Sequence, residues 1–373
     1  MAGSSIEIRI YAAADAAEIC VASWDALAEE AMLANPFYAS WNLLPALRYL
    51  SGGRKVDVLT AWQDGVLAGL VPVHYRLRLR GLTVASVWKH SECYQTMPLL
   101  RSEAVWTAML DGLWRERGVR VLHNSTQAGM PLCLHDKQHI VRLRYRRPLL
   151  QAGQSYRQLQ AHWKGKVRRE RQRLERRFFE NDSAVYSNHK ADAVARLEQY
   201  IRLEAQGWKG LSGSAIAQNE SLCAYYRAMA QAAGARSAIE VQCLARDGQA
   251  AAMSIRLLSG VTAYEIKTSF DSNQISLAPG VVLELQNMRA LCEREDLQRA
   301  DSCTNPNNAL ITQLWDDSLA VYNSVYFAPG RVAALLRRFL SGYFYLKALK
   351  HRVRAWRPGR PNSFTAGAKS DGR

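Results

Sequence analysis

The hydrophobic pattern alternates between short apolar runs and longer segments with an apolar residue every three or four positions. Short runs joined by Asp-Gly are typical of β-hairpins, and they occur at 56–62 with 66–77 and at 239–245 with 250–258. The three-to-four spacing predicts helices, which we place at 14–33, 39–50, 103–117, 191–206 and 219–233. The mixture predicts an α/β chain.

One order of elements occurs twice along the chain. Each copy reads as a hairpin, a third strand, a proline turn, a helix and a closing strand. The distance from the hairpin aspartate to the proline is 34 residues from Asp64 to Pro98 and 32 residues from Asp247 to Pro279. Shared order and spacing predict an internal duplication. We therefore predict an N-terminal domain at 1–150 and a C-terminal domain at 183–330.

The segment between the copies, 151–182, is predicted to be a basic helical arm. Its apolar residues fall three, four or seven positions apart and predict one helix over 156–179 with a single buried stripe, made of Tyr156, Leu159, Trp163, Val167, Leu174 and Phe178. The opposite face is rich in Arg and Lys. A second amphipathic helix is predicted at 331–354, followed by a Gly-, Pro- and Lys-containing tail that is predicted to be disordered.

The net charge of +16 is concentrated in two segments. Residues 164–177 contain eight Lys or Arg and two Glu, and residues 350–373 contain seven Lys or Arg and one Asp. The globular body is nearly neutral, so the charge alone does not indicate a nucleic-acid-binding protein. The arm has three interpretations: a solvated helix face, a surface for an anionic acceptor or carrier, and a surface for RNA. The C-terminal helix and tail would suit an anionic membrane surface.

The seven cysteines are scattered and contain no CxxC pair. This pattern argues against a disulfide framework and against a structural zinc site, and we expect no metal. No apolar stretch approaches the ~20 residues that cross a bilayer, and the N-terminus lacks the pattern of a secretory signal. We therefore predict a cytoplasmic protein, peripheral at the inner membrane face if the C-terminal helix binds lipid.

Several motifs resemble those of GNAT-type acyltransferases of the CelD-like and FemAB-related kind. The resemblance spans about residues 35–316. Its motifs are Asn35-Pro36-Phe37-Tyr38-Ala39-Ser40-Trp41; Trp88-Lys89-His90 with Pro98-Leu99-Leu100; Glu204 with Trp208-Lys209-Gly210; Lys267, Asp271 and Pro279-Gly280; and Asp301-Ser302-Cys303 with Leu314-Trp315.

This resemblance implies tandem GNAT-like domains, an acyl-CoA N-acyltransferase fold with the arm inserted between its two copies. It implies transfer of an acyl group from acetyl-CoA or another acyl-CoA to an amine or hydroxyl, in polysaccharide or glycan biosynthesis. The acceptor would be a small molecule or glycan, and a polysaccharide-synthase complex is an expected partner. Two alternatives stay open: a transferase that uses aminoacyl-tRNA, and a catalytically inactive scaffold.

The cofactor site is predicted at the start of the helix that begins with Pro279. A helix N-terminus binds phosphate, Pro is favoured at the first helical position, and Gly allows close approach. We therefore place the CoA pyrophosphate on Ala278, Gly280, Val281 and Val282. The sequence lacks the usual GNAT loop, [RQ]-x-x-G-x-[GA], and has one glycine here. Because Pro98-Leu99-Leu100 has none, the first copy is predicted to be degenerate.

A general base must accept a proton from the acceptor. The predicted catalytic carboxylates are Asp301, Glu204 and Asp271, and Glu265 also lies on a strand of the predicted cleft. The resemblance places Trp208, Lys209 and Lys267 at the substrate. No GxSxG, HExxH or GxxxxGK[ST] motif is present.

Overall fold

The computed structural model describes residues 5–79, 82–132, 138–180 and 183–355, apart from the side chains of Trp208 and of 347–355. Thirteen strands of these residues form one mixed sheet. The strands are β1 (Ile6–Ala12), β2 (Val56–Gln63), β3 (Val66–Leu79), β4 (Leu82–Val87), β5 (Leu99–Leu100), β6 (Val119–Ala128), β7 (His139–Gln151), β8 (Val185–His189), β9 (Ile239–Arg246), β10 (Gln249–Ser259), β11 (Thr262–Phe270), β12 (Arg299–Asp301) and β13 (Asp317–Phe327).

Eleven α-helices of the described residues pack on the two faces of this sheet or against one another. They are α1 (Val21–Glu30), α2 (Ser40–Leu50), α3 (Glu103–Arg117), α4 (Tyr156–Ala161), α5 (Gly165–Phe179), α6 (Ala193–Gln206), α7 (Trp208–Leu211), α8 (Glu220–Gly234), α9 (Pro279–Cys292), α10 (Ala309–Leu314) and α11 (Arg331–Ala355). The α/β prediction is confirmed.

The two copies have the same strand order. In the first half β2, β3 and β4 are antiparallel neighbours and β4 then pairs in parallel with β6. In the second half β9, β10 and β11 are antiparallel neighbours and β11 pairs in parallel with β12. Both hairpin aspartates have a left-handed backbone conformation, with φ of 51° at Asp64 and 52° at Asp247, and glycine follows each. Asp-Gly is favoured in such turns because both positions need positive φ.

The strands that follow the two halves along the chain, β7 and β13, are exchanged at the centre of the sheet. The order there is β6-β13-β7-β12. Strand β7 follows the first half along the chain but pairs with β12 of the second. Strand β13 follows the second half but pairs with β6 of the first. The first half is therefore completed by β13, which follows the second half along the chain, and the second half is completed by β7, which follows the first. The sheet runs unbroken through both halves.

The hydrophobic core also continues from one half to the other. Helix α2 packs against α8, and one buried cluster contains Trp24 and Leu43 of the first half with Tyr200 and Met253 of the second. The domain boundaries at 150 and 183 stay a prediction.

The basic arm is two helices, so the prediction of one helix over 156–179 is wrong. Helix α4 ends at Ala161 and α5 begins at Gly165. Between them the Trp163 indole turns inward, and its Nε1 donates to the Leu314 carbonyl at 2.8 Å. The apolar stripe itself is buried as predicted, with Leu159, Leu174 and Phe178 at most 8% exposed. These residues pack on α9 and the sheet.

Helix α11 lies over β6, β13 and β7 and buries Ala333 in a small cluster with Val121, Val325 and Phe327. A second stripe of this helix faces solvent, with Leu335 70% and Phe339 73% exposed. Among the described residues, no helix is both long and apolar enough to cross a bilayer. The tail that is predicted to be disordered from Pro358 onward lies outside the described residues.

Candidate functional site

The parallel strands β11 and β12 separate after only three residue pairs. Their register runs from Thr262 with Arg299 to Tyr264 with Asp301. Beyond this point β11 continues to Phe270, whereas the chain leaving β12 turns away at Cys303, which has a left-handed φ of 50°. The free edge of β11, the chain after β12 and the start of α9 surround the resulting opening.

Helix α9 presents its N-terminus beside this opening. Ala278 takes a left-handed conformation, with φ and ψ both 50°, and Pro279 occupies the first turn. The N–H groups of Val281 and Val282 donate to the Ala278 carbonyl at 2.9 and 3.1 Å. The first turn contains no acidic residue, so the positive end of the helix dipole is not neutralised there.

The basic arm reaches the same helix start. Helix α5 packs along α9, and Glu175 of α5 accepts hydrogen bonds from Gln286 and Arg289 of α9. The last turn of α5 brings the exposed Arg177 close enough to donate to the Ser276 carbonyl at 3.4 Å. The arm therefore adds positive charge beside the N-terminus of α9.

Gly280 has a packing role that its sequence context does not reveal. A Cβ at this position would lie 3.1 Å from Cδ1 of Phe270, the last residue of β11. Such a distance requires the ring to move by a few tenths of an ångström. Glycine thus lets α9 start directly against the end of β11.

Glu204 and Lys209 form an ion pair that anchors the segment after α6. Glu204 is 1% exposed, and its Oε1 accepts from Lys209 Nζ at 2.7 Å while its Oε2 accepts from the Ile216 N–H at 2.8 Å. Lys209 also donates to the Thr268 carbonyl on the free edge of β11 at 3.2 Å. Both carboxylate oxygens are engaged, so this geometry gives Glu204 a positioning role. The side chain of Trp208 lies outside the described residues.

A tyrosine of the first half enters the opening of the second. Tyr94 lies between β4 and β5, and its hydroxyl donates to the Ile266 carbonyl of β11 at 3.2 Å. Burial, with added repulsion from the Glu92 carboxylate, raises the pKa of Tyr94 well above its usual value. Tyr94 is therefore a neutral donor. Together with Lys209 it occupies two carbonyls of the edge that β12 leaves unpaired.

Asp301 is buried in an ion pair with Arg147 of β7, and both side chains are at most 2% exposed. Its other oxygen accepts the N–H of Cys303 at 2.9 Å. This arrangement leaves no free oxygen toward an acceptor and does not favour Asp301 as the base. Burial and the Asp301 charge raise the pKa of the Cys303 thiol well above its usual value, so this cysteine stays protonated.

The other two predicted residues have well-defined partners. Asp271 caps the short 3₁₀ turn before α9 by accepting from the Asn273 N–H at 2.9 Å. Lys267 Nζ lies 3.0 Å from Glu92 Oε2, which also accepts from the Tyr226 hydroxyl at 2.5 Å. Lys267 thus joins a carboxylate of the first half to the second half. The roles predicted for both residues remain predictions.

Three side chains of this site were missed from the sequence: Glu92, Tyr94 and Arg147. All three belong to residues 1–150, the copy that was predicted to be degenerate because Pro98-Leu99-Leu100 lacks glycine. The motif Trp88-Lys89-His90 lies just before Glu92 and could have pointed to this segment as part of the site. Arg147 lies in a strand whose Arg-rich sequence, RLRYRR, hid its β character. Within the described residues, no group of three or more His, Cys, Asp or Glu side chains is arranged to hold a metal ion.

Residues 162–309 match the family model of an acetyltransferase (GNAT) domain. A comparison with curated proteins gives no match. Among solved structures, FemX is similar with a TM-score of 0.55 at 7% identity, covering 83% of this chain and 96% of FemX. A conserved protein of unknown function from Bacteroides thetaiotaomicron gives a TM-score of 0.54 at 13% identity, covering 83% of this chain and 98% of that one.

The C-terminal domain of a candidate lysylphosphatidylglycerol synthetase from Agrobacterium fabrum gives a TM-score of 0.52 at 12% identity, covering 84% of this chain and 93% of that one. At these identities the likenesses concern the fold alone. The family match begins in the arm and ends at the first residue of α10, and the first half repeats the strand order of the matched region. The chain therefore has a mixed α/β fold in which the strand order of the region that matches the GNAT acetyltransferase model occurs twice.

Proposed function

We propose that the second half binds acyl-CoA and transfers its acyl group to an amine or hydroxyl. The observation that carries this proposal is the separation of β11 from β12 directly beside the N-terminus of α9. A thioester placed in this opening would have its carbonyl near backbone and side-chain donors, which stabilise a developing oxyanion. The CoA pyrophosphate would lie at the N-terminal end of α9, in the field of the helix dipole, with Arg177 beside it.

Side chains of this protein hold the edge of the opening and provide the candidate bases beside it. Tyr94 and Lys209 donate to the carbonyls of Ile266 and Thr268 on the free edge of β11, and a pantetheine chain would compete with them for these carbonyls. Of the carboxylates near the opening, Glu92 has the Lys267 ammonium and the Tyr226 hydroxyl as partners. Both of these partners bond Oε2 of Glu92, whereas Asp301 and Glu204 have both oxygens engaged, and Glu92 is therefore the base that we propose.

Calorimetry with acetyl-CoA tests the site, and thiol release in the presence of amine acceptors tests the transfer. We expect binding in the micromolar to millimolar range. Absence of binding to the wild-type protein at millimolar acetyl-CoA would exclude the acyl-CoA proposal. Replacing Glu92 by Gln should lower turnover while leaving acetyl-CoA affinity within about threefold, because Glu92 lies away from the start of α9.

A second proposal is a transfer that uses aminoacyl-tRNA. It is supported by the outward face of α5, where Lys166, Arg168 and Arg169 are exposed. A nucleic acid bound through such residues shows a steep decrease in affinity with added salt. Binding of tRNA with that salt dependence, in a protein that does not bind acetyl-CoA, would favour this function. A role in glycan synthesis and a membrane contact through the exposed stripe of α11 remain parts of the proposal.

A further inference from the structure

Several cationic side chains meet near the boundary of the two halves. Lys89 follows β4, and Arg144 lies on β7. Lys89 Nζ and Arg144 Nη1 both donate to the same hydroxyl, Oγ1 of Thr126 on β6, each at 3.3 Å. Arg147 lies nearby on β7 and donates to the Tyr94 carbonyl at 2.8 Å. Three positive charges on two segments of the chain are thus held close together, with Thr126 of a third segment bonded to two of them.

The carboxylates near this group do not balance its charge. Asp301 is already engaged by Arg147 and by the Cys303 N–H. In the part of the chain that the structure describes, neither Lys89 nor Arg144 forms an ion pair. Burial and the nearby Arg144 and Arg147 charges lower the pKa of Lys89. The free protein therefore carries unfavourable like-charge interactions here, which a bound anion would relieve.

Neutral hydrogen-bonding groups surround the same place. His123 of β6 lies next to Arg144, and burial followed by nearby arginine charges lowers the pKa of its imidazole. Its Nε2 is 2.8 Å from Oδ1 of Asn323. Ser125 is half-buried, with its hydroxyl 3.4 Å from that of Thr126. Arg144 is exposed, so a ligand can reach this group from solvent.

We propose that Lys89 and Arg144, with the Thr126 hydroxyl between them, bind the phosphate or carboxylate group of an anionic acceptor. Arg147 and Tyr94 connect this group to the opening beside β11, because Arg147 bonds the backbone of Tyr94 and the Tyr94 hydroxyl bonds Ile266. The binding of an anion stands by itself. Its assignment to the acceptor rests on the proposed acyl transfer, since it puts the acceptor's reactive end toward the second half.

Titration with inorganic phosphate, followed by calorimetry and thermal shift at constant ionic strength, tests the site. We expect Lys89→Gln and Arg144→Gln each to weaken the affinity for inorganic phosphate at least tenfold. Arg146→Gln removes an exposed charge from the same strand and should change affinity less than twofold. Acetate in place of phosphate distinguishes a carboxylate site from a phosphate site, and either anion supports the proposal.

Equal phosphate affinity in all four proteins would overturn the proposal, and so would an equal loss in the Arg146→Gln control. A large decrease in the melting temperature of ligand-free Lys89→Gln would also contradict it, because that result would make Lys89 a structural residue. Binding of a short RNA through Lys89 without phosphate binding would replace the small anion by a nucleic acid. Acetyl-CoA affinity should be unchanged in Lys89→Gln, so loss of the donor site and loss of this site are distinguishable.

Discussion

The helices α3 and α9 occupy equivalent places in the two halves, but the side chains between each helix and the sheet differ in polarity. Beneath α3 the contact is apolar, and a Cβ at Gly69 of β3 would lie 2.6 Å from both Val105 and Met109. Beneath α9 Asn287 donates to Ser254, which donates to Gln242 at 2.9 Å. At this contact with the helix, the first half packs apolar side chains, whereas the second keeps hydrogen-bonded polar groups.

The polar layer beneath α9 continues into a buried charge network. Arg256 is 1% exposed and pairs with both Glu240 and Glu265. Glu284 of α9 faces these groups, and burial raises its pKa to about 7. Buried charges are weak stabilisers but become costly when a partner is lost. The first half also buries a carboxylate beside α3, Asp57, but its cation, Arg117, is 38% exposed.

The starts of the two helices differ in charge as well. Helix α3 has Glu103 in its first turn, and the preceding Arg101 forms an ion pair with Glu30. Helix α9 has no acidic residue in its first turn and has Arg177 nearby. A phosphate is therefore repelled at the first helix and attracted at the second. This contrast agrees with the proposed donor site in the second half.

The largest effect is expected where the halves join. Arg147→Met leaves the Asp301 carboxylate buried without its cation, and we expect the free energy of unfolding to decrease by about 3–5 kcal/mol. Chemical denaturation measures this change. The double variant Arg147→Met with Asp301→Leu should recover most of the loss. If the single variant were nearly as stable as wild type, the halves would not depend on this pair.

The next largest effect is expected from a substitution that gives the first turn of α9 an acidic residue, as in α3. Val281→Glu places an acid in the first turn of α9, so acetyl-CoA affinity should fall at least tenfold, about 1.4 kcal/mol. Val281→Gln is the neutral control of similar size and should bind within about threefold of wild type. Calorimetry of both variants decides the matter. Equal weakening in the two would assign the effect to packing instead of charge.

A smaller effect is expected from the titration of Glu284. Its raised pKa means that the folded state binds more protons than the unfolded state between the ordinary glutamate pKa and about 7. Stability should therefore fall as pH rises through this window. Glu284→Gln should remove this fall and be more stable than wild type at pH 8, by about 1–2 kcal/mol.

Thermal unfolding of wild type and Glu284→Gln from pH 5 to pH 8 tests this expectation. The Trp315 Nε1 donor, 2.6 Å from Glu284 Oε1, can equally donate to the amide oxygen of Gln. Parallel pH profiles for the two proteins would show that Glu284 does not titrate in this range.

The sequence predicted local elements better than the contacts between them. Asp-Gly turns and apolar spacing located both hairpins and α3 within a few residues, because these signals act over short distances. The exchange of β7 and β13 has no local signal, since pairing between distant strands depends on the whole sheet. For the same reason Asp301 and Glu204 were predicted near the cleft, but their partners Arg147 and Ile216 were not.

The smallest expected effect is on the free energy of unfolding, from changes on the exposed face of the arm. These changes also test whether that face contributes to stability or binds a partner. Arg168, Arg169 and Arg173 are exposed, and Arg173 pairs only with Glu170 of its own helix among the described residues, at 2.8 Å. Exposed charges and pairs of this kind contribute little to stability. We expect the triple change to Gln to alter the free energy of unfolding by less than about 1 kcal/mol.

Leu174→Ala is the matched change on the buried side of the same helix, and it should cost about 2–4 kcal/mol because Leu174 is 8% exposed and packs in the cluster beneath α9's start. Binding of acetyl-CoA and of tRNA to the triple variant then separates the two proposed donors. Loss of tRNA affinity with unchanged stability would assign the outer face to a nucleic acid. Unchanged binding of both ligands would leave that face as a solvated surface, with only Arg177 at its end contributing to the donor site.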